Sequence, residues 1–302
     1  MGHDHSHAVG NYNRAFALGI ALNITFVVIE AVYGVLAESL ALIADAGHNL
    51  SDVVSLLLAW GASLLATKAA TEKRTYGLRK ATVMASLGSA ILLLVVLGGI
   101  GWEAISRFRN PAPVEGVTVI VVAAIGVVIN TLTALLFVSG QKHDLNIRGA
   151  FLHMAADAGV SLGVVIAGIL IMVYGWLWID PVISLVIVAV IFAGTWGLLR
   201  DSMNYAMDAV PANIDIPAIK QHLMGLEPIG SIHDLHVWPL STTETALTVH
   251  VVVNHNTVDN HFLCNLQQNL HDHFGIAHST IQVETATGEV RCMLDNDKVC
   301  GR

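Results

Sequence analysis

Charged side chains are scarce in this chain of 302 residues: Asp, Glu, Lys and Arg together make up 13%, about half the share of an ordinary soluble domain. Set against 54% hydrophobic residues and a mean hydropathy of +0.64, that scarcity points to lipid as the solvent for most of the chain. Basic residues are rarer than acidic ones, 15 against 23, for a formal net charge of −8. Nucleic acid is thereby excluded as a partner, because phosphate binding needs a basic face. Cysteine is nearly absent: Cys264, Cys292 and Cys300 are too few and too unevenly spaced for a disulfide framework, and no zinc-ribbon spacing occurs. No His-Glu-x-x-His motif is present, which argues against a metalloenzyme. The first hydrophobic stretch is too long for a secretory signal, and no small-residue cleavage site follows it.

Histidine is the residue in excess, with 15 copies, three of them in His3, His5 and His7. A short tract of this kind reads as a metal-binding tail or as a disordered polar one. A membrane-spanning helix needs roughly 20 mostly apolar residues. Six segments qualify, at about 14–36, 39–66, 81–105, 115–138, 149–173 and 177–199. Arg107 to Val114 closes the third, and Pro181 sits where a first-turn proline would start the sixth. Orientation follows from the basic residues of the short loops. Lys68, Lys73, Arg74, Arg79 and Lys80 lie between spans two and three, and Lys142 and Arg148 between four and five; the other side has Arg107 and Arg109. The first set is expected to face the cytoplasm, as are both termini, in a multi-pass protein of the inner (plasma) membrane.

Past Arg200 the chain turns polar. Ile216–Leu226 and Val258–Phe274 carry helical periodicity, while Ser231–Pro239, Thr245–Asn254 and Ser279–Thr285 alternate as strands. The αββαβ order predicts a small open sheet covered by two helices. The expected organisation is therefore a polytopic α-helical membrane protein with a C-terminal α/β domain. Its parts are a His-containing tail (1–13), a six-helix transmembrane domain (14–204), a cytoplasmic α/β domain (205–290) and a C-terminal tail (291–302). From about residue 205 to the end of the chain, Lys220, Arg291, Lys298 and Arg302 are outnumbered by acidic residues. The same stretch also holds His222, His233, His236, His250, His255, His261, His271, His273 and His278. Such a composition suits cations.

Ionisable groups inside spans are functional candidates by default. Span two contains His48 and Asp52, and span five contains His153 and Asp157. Each pair is spaced i, i+4, which puts imidazole and carboxylate on one helix face. Facing each other, the two helices would supply two nitrogens and two carboxylate oxygens, a donor set for tetrahedral Zn²⁺. Two carboxylates also offset the charge of one divalent cation within the membrane. His and Asp without thiolate favour Zn²⁺, Co²⁺, Ni²⁺ or Mn²⁺ over Cu(I). Cd²⁺, softer and larger, matches less well, and histidine disfavours Mg²⁺ and Ca²⁺. Protons compete with metal for neutral imidazole, so a site loaded inside and discharged by protons outside is an antiporter. Asp45 lies on a similar face, as a guide for cations or a structural partner. Glu30, Asn23 and Asn130 read as polar contacts between helices. Strand alternation places His233 and His236 on opposite faces, and His222, His255 and His261 read as surface residues.

With these residues in place, the chain resembles the cation diffusion facilitator family, in its zinc-transporting branch of bacterial zinc, cobalt and cadmium efflux type. The resemblance is carried by Ser39 to His48, the His153/Asp157 pair, Trp178-Ile179-Asp180-Pro181, His233 to Trp238, Leu247 to His250 and Thr280 to Glu284. It implies a homodimer in membrane lipid that exchanges divalent metal for protons by alternating access, with a metallochaperone-like cytoplasmic domain. It maps the transport site onto His48, Asp52, His153 and Asp157. Cytoplasmic metal ligands map onto His233, His250 and Glu284 with His278 as a fourth, joined by Cys292, Cys300 or the N-terminal histidines. Zn²⁺ is then substrate and regulatory ligand, with Co²⁺, Ni²⁺ or Cd²⁺ in its place. Lys80 and Asp208 match positions that resemble a charge interlock, or gate. The chain departs from many relatives between Tyr76 and Thr82, where no ligand for a loop metal occurs. The competing reading is a membrane-anchored sensor that binds metal and moves none; an anchor has no need of ionisable pairs in two spans.

Overall fold

The computed structural model describes residues 13–110, 112–138, 145–254 and 259–285, and the side chains of 13–23, 136, 137, 145–150 and 153 lie outside that description. His3, His5, His7, Cys292 and Cys300, and with them most of both expected tails, are likewise outside the described residues, as are Lys142 and His255.

Six long helices come first: α1 (Asn13–Leu36), α2 (Leu40–Ala66), α3 (Ala81–Arg107), α4 (Gly116–Phe137), α5 (Leu145–Tyr174) and α6 (Ile179–Ala206). The helices α2 to α6 are long and apolar enough to cross a membrane, and Ile24–Leu36 of α1 is apolar over a shorter length. The sixth helix runs to Ala206, past the expected end at 199. Arg200 and Asp201 close a hydrophobic run there, yet both are exposed and break no helical hydrogen bond.

Two compact units result. One comprises residues up to Leu57 with Ser89–Gly197, the other Leu58–Gly88 with residues from Leu198 onward. The first unit is built inside out relative to a water-soluble bundle. Its surface shows large apolar side chains such as Val95, Val190 and Trp102, the last 77% exposed. Its interior holds Glu30, Asp45, Asn49, Asn130, Asp157 and Asp180 beside Phe26, Leu42, Leu97, Val119 and Val164. Lipid rewards that exchange, since polar groups facing hydrocarbon would lose their partners. Close approach of α4 and α5 depends on small residues: a Cβ on Gly168 would stand 2.7 Å from Ile120 Cγ1 and 3.2 Å from the Gly116 carbonyl.

The start of α2 is tied down by a carboxylate from α6. Asp180 accepts from Ser39 Oγ at 2.6 Å and from the backbone N–H groups of Leu40 at 2.8 Å and Ala41 at 3.2 Å. A helix N-terminus leaves such N–H groups unsatisfied and carries partial positive charge, so an anion there is favourable. Arg107 closes the knot, 3.8 Å from Asp180 Oδ2 and hydrogen-bonded to the Glu38 carbonyl.

The second unit adds α7 (Ile216–Met224), β1 (Ile229–Pro239), β2 (Thr245–Val253), α8 (Asn260–Phe274) and β3 (Ile276–Thr285), in the expected αββαβ order. Central β2 pairs antiparallel with β1 and parallel with β3. Asp215 and Asp259 cap the two helices by accepting from Ala218 N and Phe262 N. Gly275, in the left-handed region at φ 67°, ends α8. Leu247, Val249 and Val251 point from β2 to Ile219, Leu223, Leu266 and Leu270 of the helices. Because side chains alternate along a strand, His250 is left on the opposite, helix-free face.

Candidate functional site

Ligand-type side chains come close to one another in each unit. In the helical unit, His48 and Asp52 stand one turn apart on α2, and Asp157 reaches His48 from α5. His48 Nε2 lies 3.5 Å from Asp157 Oδ1 and 3.7 Å from Asp52 Oδ2. Zinc bonds of about 2.0–2.1 Å to nitrogen and oxygen set a tetrahedral edge of about 3.4 Å between donors. These separations are close to that edge. Asp157 is sealed at 3% side-chain exposure and His48 nearly so at 16%, while Asp52 is open at 33%. His153 lies one turn before Asp157 in α5, and its side chain is outside the described residues. The structure therefore sets His48 within 3.7 Å of both Asp52 and Asp157 and places the fourth expected residue in the same helix as Asp157.

The residues around this group are polar and buried. Ser161 of α5 donates to Asp45 Oδ2 at 2.9 Å, which gives Asp45 a partner across helices. Asn49 donates through Nδ2 to Glu30 Oε2 at 3.4 Å, joining α2 to α1.

In the C-terminal unit, His233 faces His250 across β1 and β2, and Glu284 follows on β3 opposite Val252. One Glu284 oxygen lies 2.9 Å from His250 Nδ1 and the other 3.1 Å from His233 Nε2. The ligand atoms of these three residues all lie within 4.8 Å of one another. Two imidazoles and a carboxylate form a borderline donor set suited to Zn²⁺, with room for a fourth ligand. Gln282 donates to Glu284 at 3.0 Å and helps to hold the carboxylate.

Two expectations for this sheet need correction. His236 pairs with Thr248 while His233 pairs with His250, so β1 contains one extra residue between them. That bulge, with Asp234 at φ 50°, resets the alternation and returns His236 to the face of His233. His236 nonetheless bonds Asp234 at 2.9 Å rather than joining the trio, and Asp234 also comes within 3.5 Å of His250 Nε2. His278 pairs with Ala246 near the other end of β3, six residues and about 20 Å along the strand from Glu284. Its ring packs edge-on against Tyr76, centroids 5.5 Å apart, so it is not brought to the site. Asp234 was missed because nothing in an alternating strand announces a left-handed residue; an acid between two histidines was the available signal.

Lys80 and Asp208 are ion-paired, and Arg79 Nη1 lies 2.9 Å from Glu244 Oε2. His222, read as a surface residue, is half-buried against His273 and Phe274.

The chain matches the cation efflux transmembrane domain over residues 16–205 and the cytoplasmic domain of cation efflux proteins over residues 211–286. It is 38% identical over 290 residues to the metal cation efflux system protein CzcD of Cupriavidus metallidurans, across 95% of this chain and 91% of that one. It is 36% identical over 290 residues to a cadmium, cobalt and zinc/H⁺–K⁺ antiporter of Bacillus subtilis, across 94% and 92%. Identity to the zinc transporter ZitB of Escherichia coli is 36% over 291 residues, across 94% and 93%.

Proposed function

The chain belongs to the cation efflux family of membrane transporters, and from that membership we propose that it is an antiporter exporting Zn²⁺ from the cytoplasm in exchange for protons. The observation that carries this reading is the seating of His48 between Asp52 of α2 and Asp157 of α5, buried within a bundle of apolar helices. Two carboxylates balance the charge of one divalent ion, and one imidazole sets the preference away from hard cations. His153, one turn from Asp157, completes the tetrahedral set. Zn²⁺ binding requires the neutral ring, so a proton arriving from the far side displaces the metal. Co²⁺, Ni²⁺ and Cd²⁺ are alternative substrates on the same donor chemistry, and the cadmium, cobalt and zinc antiporter of Bacillus subtilis supports cobalt and cadmium among them.

His233, His250 and Glu284 form the regulatory metal site of the C-terminal domain, with Asp234 holding His250 and His236 in place. The protein works as a homodimer, with residues 14–204 in the membrane and the termini in the cytoplasm, where the basic loop from Lys68 to Lys80 also lies. The Lys80–Asp208 pair serves as the interlock.

Metal flux in proteoliposomes under an imposed pH gradient tests the reading. Zn²⁺ movement coupled to opposite proton movement, lost in Asp52→Ala, is the expected outcome. Metal that binds and never crosses in the native protein would replace the antiporter by a membrane-anchored sensor.

A further inference from the structure

Glu30 of α1 and Asp45 and Asn49 of α2 are sealed inside the helical unit, at 0%, 0% and 1% exposure. One oxygen of each carboxyl group has a donor: Asn49 Nδ2 for Glu30 Oε2, and Ser161 Oγ for Asp45 Oδ2. Three other oxygens, Glu30 Oε1, Asp45 Oδ1 and Asn49 Oδ1, are buried with no hydrogen-bond donor among the described residues. Asn49, one turn after Asp45 on α2, ties Glu30 to that face, and two carboxylates brought there can only accept. Buried acceptors without donors are costly, and like charges side by side more so, unless a cation sits between them. Polar contact between helices accounts for the two donated bonds and leaves these three oxygens unexplained.

We propose that Glu30, Asp45 and Asn49 form a second cation site, made of oxygen donors alone, that takes the monovalent counter-ion exchanged for the divalent metal. The inference rests on the antiport reading above. With no nitrogen or sulfur donor, the site favours a hard cation over Zn²⁺. A proton and an alkali ion share that chemistry. Asn49 adjoins His48, Asp45 stands one turn before it, and Ser161 stands one turn after Asp157. A turn is about 5.4 Å, a distance at which two cations in a poorly screened interior repel strongly. Filling one site therefore empties the other, which is what obligate exchange requires.

The test uses full-length protein, native and with Glu30→Gln or Asp45→Asn. Zn²⁺ affinity is measured by calorimetry in detergent, and zinc–zinc exchange and gradient-driven zinc flux in proteoliposomes. Zn²⁺ binding is expected to weaken in both variants without being lost, because each removes a negative charge about one turn from a metal it does not touch. Exchange should persist, while flux driven by a proton or potassium gradient falls by about tenfold or more. Whichever gradient drives the native protein names the counter-ion. Either variant driven as well as native overturns the site. So does joint loss of zinc binding and exchange, which would make these residues part of the metal centre or of the fold. A direct reading stands apart from transport: the solubilised native protein shows a protonated-carboxyl infrared band, or binds radioactive rubidium, and both variants lose the signal. Native protein with neither signal overturns the site; native protein with the signal and no flux keeps it and removes the antiport reading.

Discussion

Asp180 is the carboxylate whose removal should damage the helical unit most without touching either metal group. Itself only 1% exposed, it satisfies Ser39 Oγ and two backbone N–H groups at the start of α2 and faces Arg107. Asp180→Ala leaves the two N–H groups and a guanidinium without their acceptor inside the unit. Breaking one partner of a buried pair costs about 3–5 kcal/mol, and loss of a helix cap alone about 1 kcal/mol. Taking about 4 kcal/mol, and about 2–4 °C per kcal/mol for a unit of this size, the apparent Tm should fall by roughly 8–16 °C. Asp180→Asn keeps one acceptor oxygen and loses the charge, so its loss should be about half, following the weaker bonds of a neutral acceptor. Thermal unfolding of purified protein in detergent, followed by tryptophan fluorescence, measures all three proteins. A native Tm in Asp180→Ala would falsify the anchoring of α2 through α6. Equal losses in Ala and Asn would show that charge, rather than the hydrogen-bonding oxygen, supplies the whole effect.

The remaining expectations concern the metal groups. Asp157→Ala should abolish zinc flux while the protein stays folded and monodisperse; flux at the native rate would remove Asp157 from the transport site. His233→Ala should lower bound zinc by one ion per chain in equilibrium dialysis and reduce flux only in part, whereas His278→Ala should leave the stoichiometry unchanged. Loss of an ion in the second variant would return His278 to the ligand set. Zinc affinity should fall with acidity, because protonated imidazole cannot ligate. Calorimetry on Asp157→Ala isolates the C-terminal site, where a dissociation constant unchanged between pH 7.5 and 5.5 would exclude His233 and His250 as ligands.

Periodicity made the long helices and the αββαβ order legible, since lipid and a one-sided sheet each impose a hydrophobic pattern on the residues that face them. Spacing likewise put His48 with Asp52, and the repeat of that spacing in α5 pointed to Asp157. What stayed hidden was set by backbone geometry and by contacts between distant residues. The bulge at Asp234 changes which face His236 takes, and no alternation rule registers an added residue. His278 lies on the expected strand, yet its distance from Glu284 depends on register with β2. Asp180 read as part of a loop signature; its role as the acceptor for α2 needs the α1–α2 turn and α6 brought side by side.

Charge balance within the helical unit ties these observations together. Glu30, Asp45, Asp52 and Asp157 occur within two adjacent stretches of α1 and α2 and one turn of α5. Between Ile24 and Leu36, throughout α2, and between Phe151 and Tyr174 the sequence has no lysine or arginine to oppose them. Four carboxylates ionised together inside low-dielectric surroundings would be strongly destabilising. In the proposed cycle one Zn²⁺ at His48, Asp52 and Asp157 offsets two of these charges while it is bound. When the metal leaves, monovalent cations at Glu30 and Asp45 offset them in its place. A transporter that moved Zn²⁺ alone would have to return with those charges bare. The arrangement of acids, more than any single ligand, therefore makes exchange for counter-cations the energetically accessible cycle and uncoupled leakage the costly one.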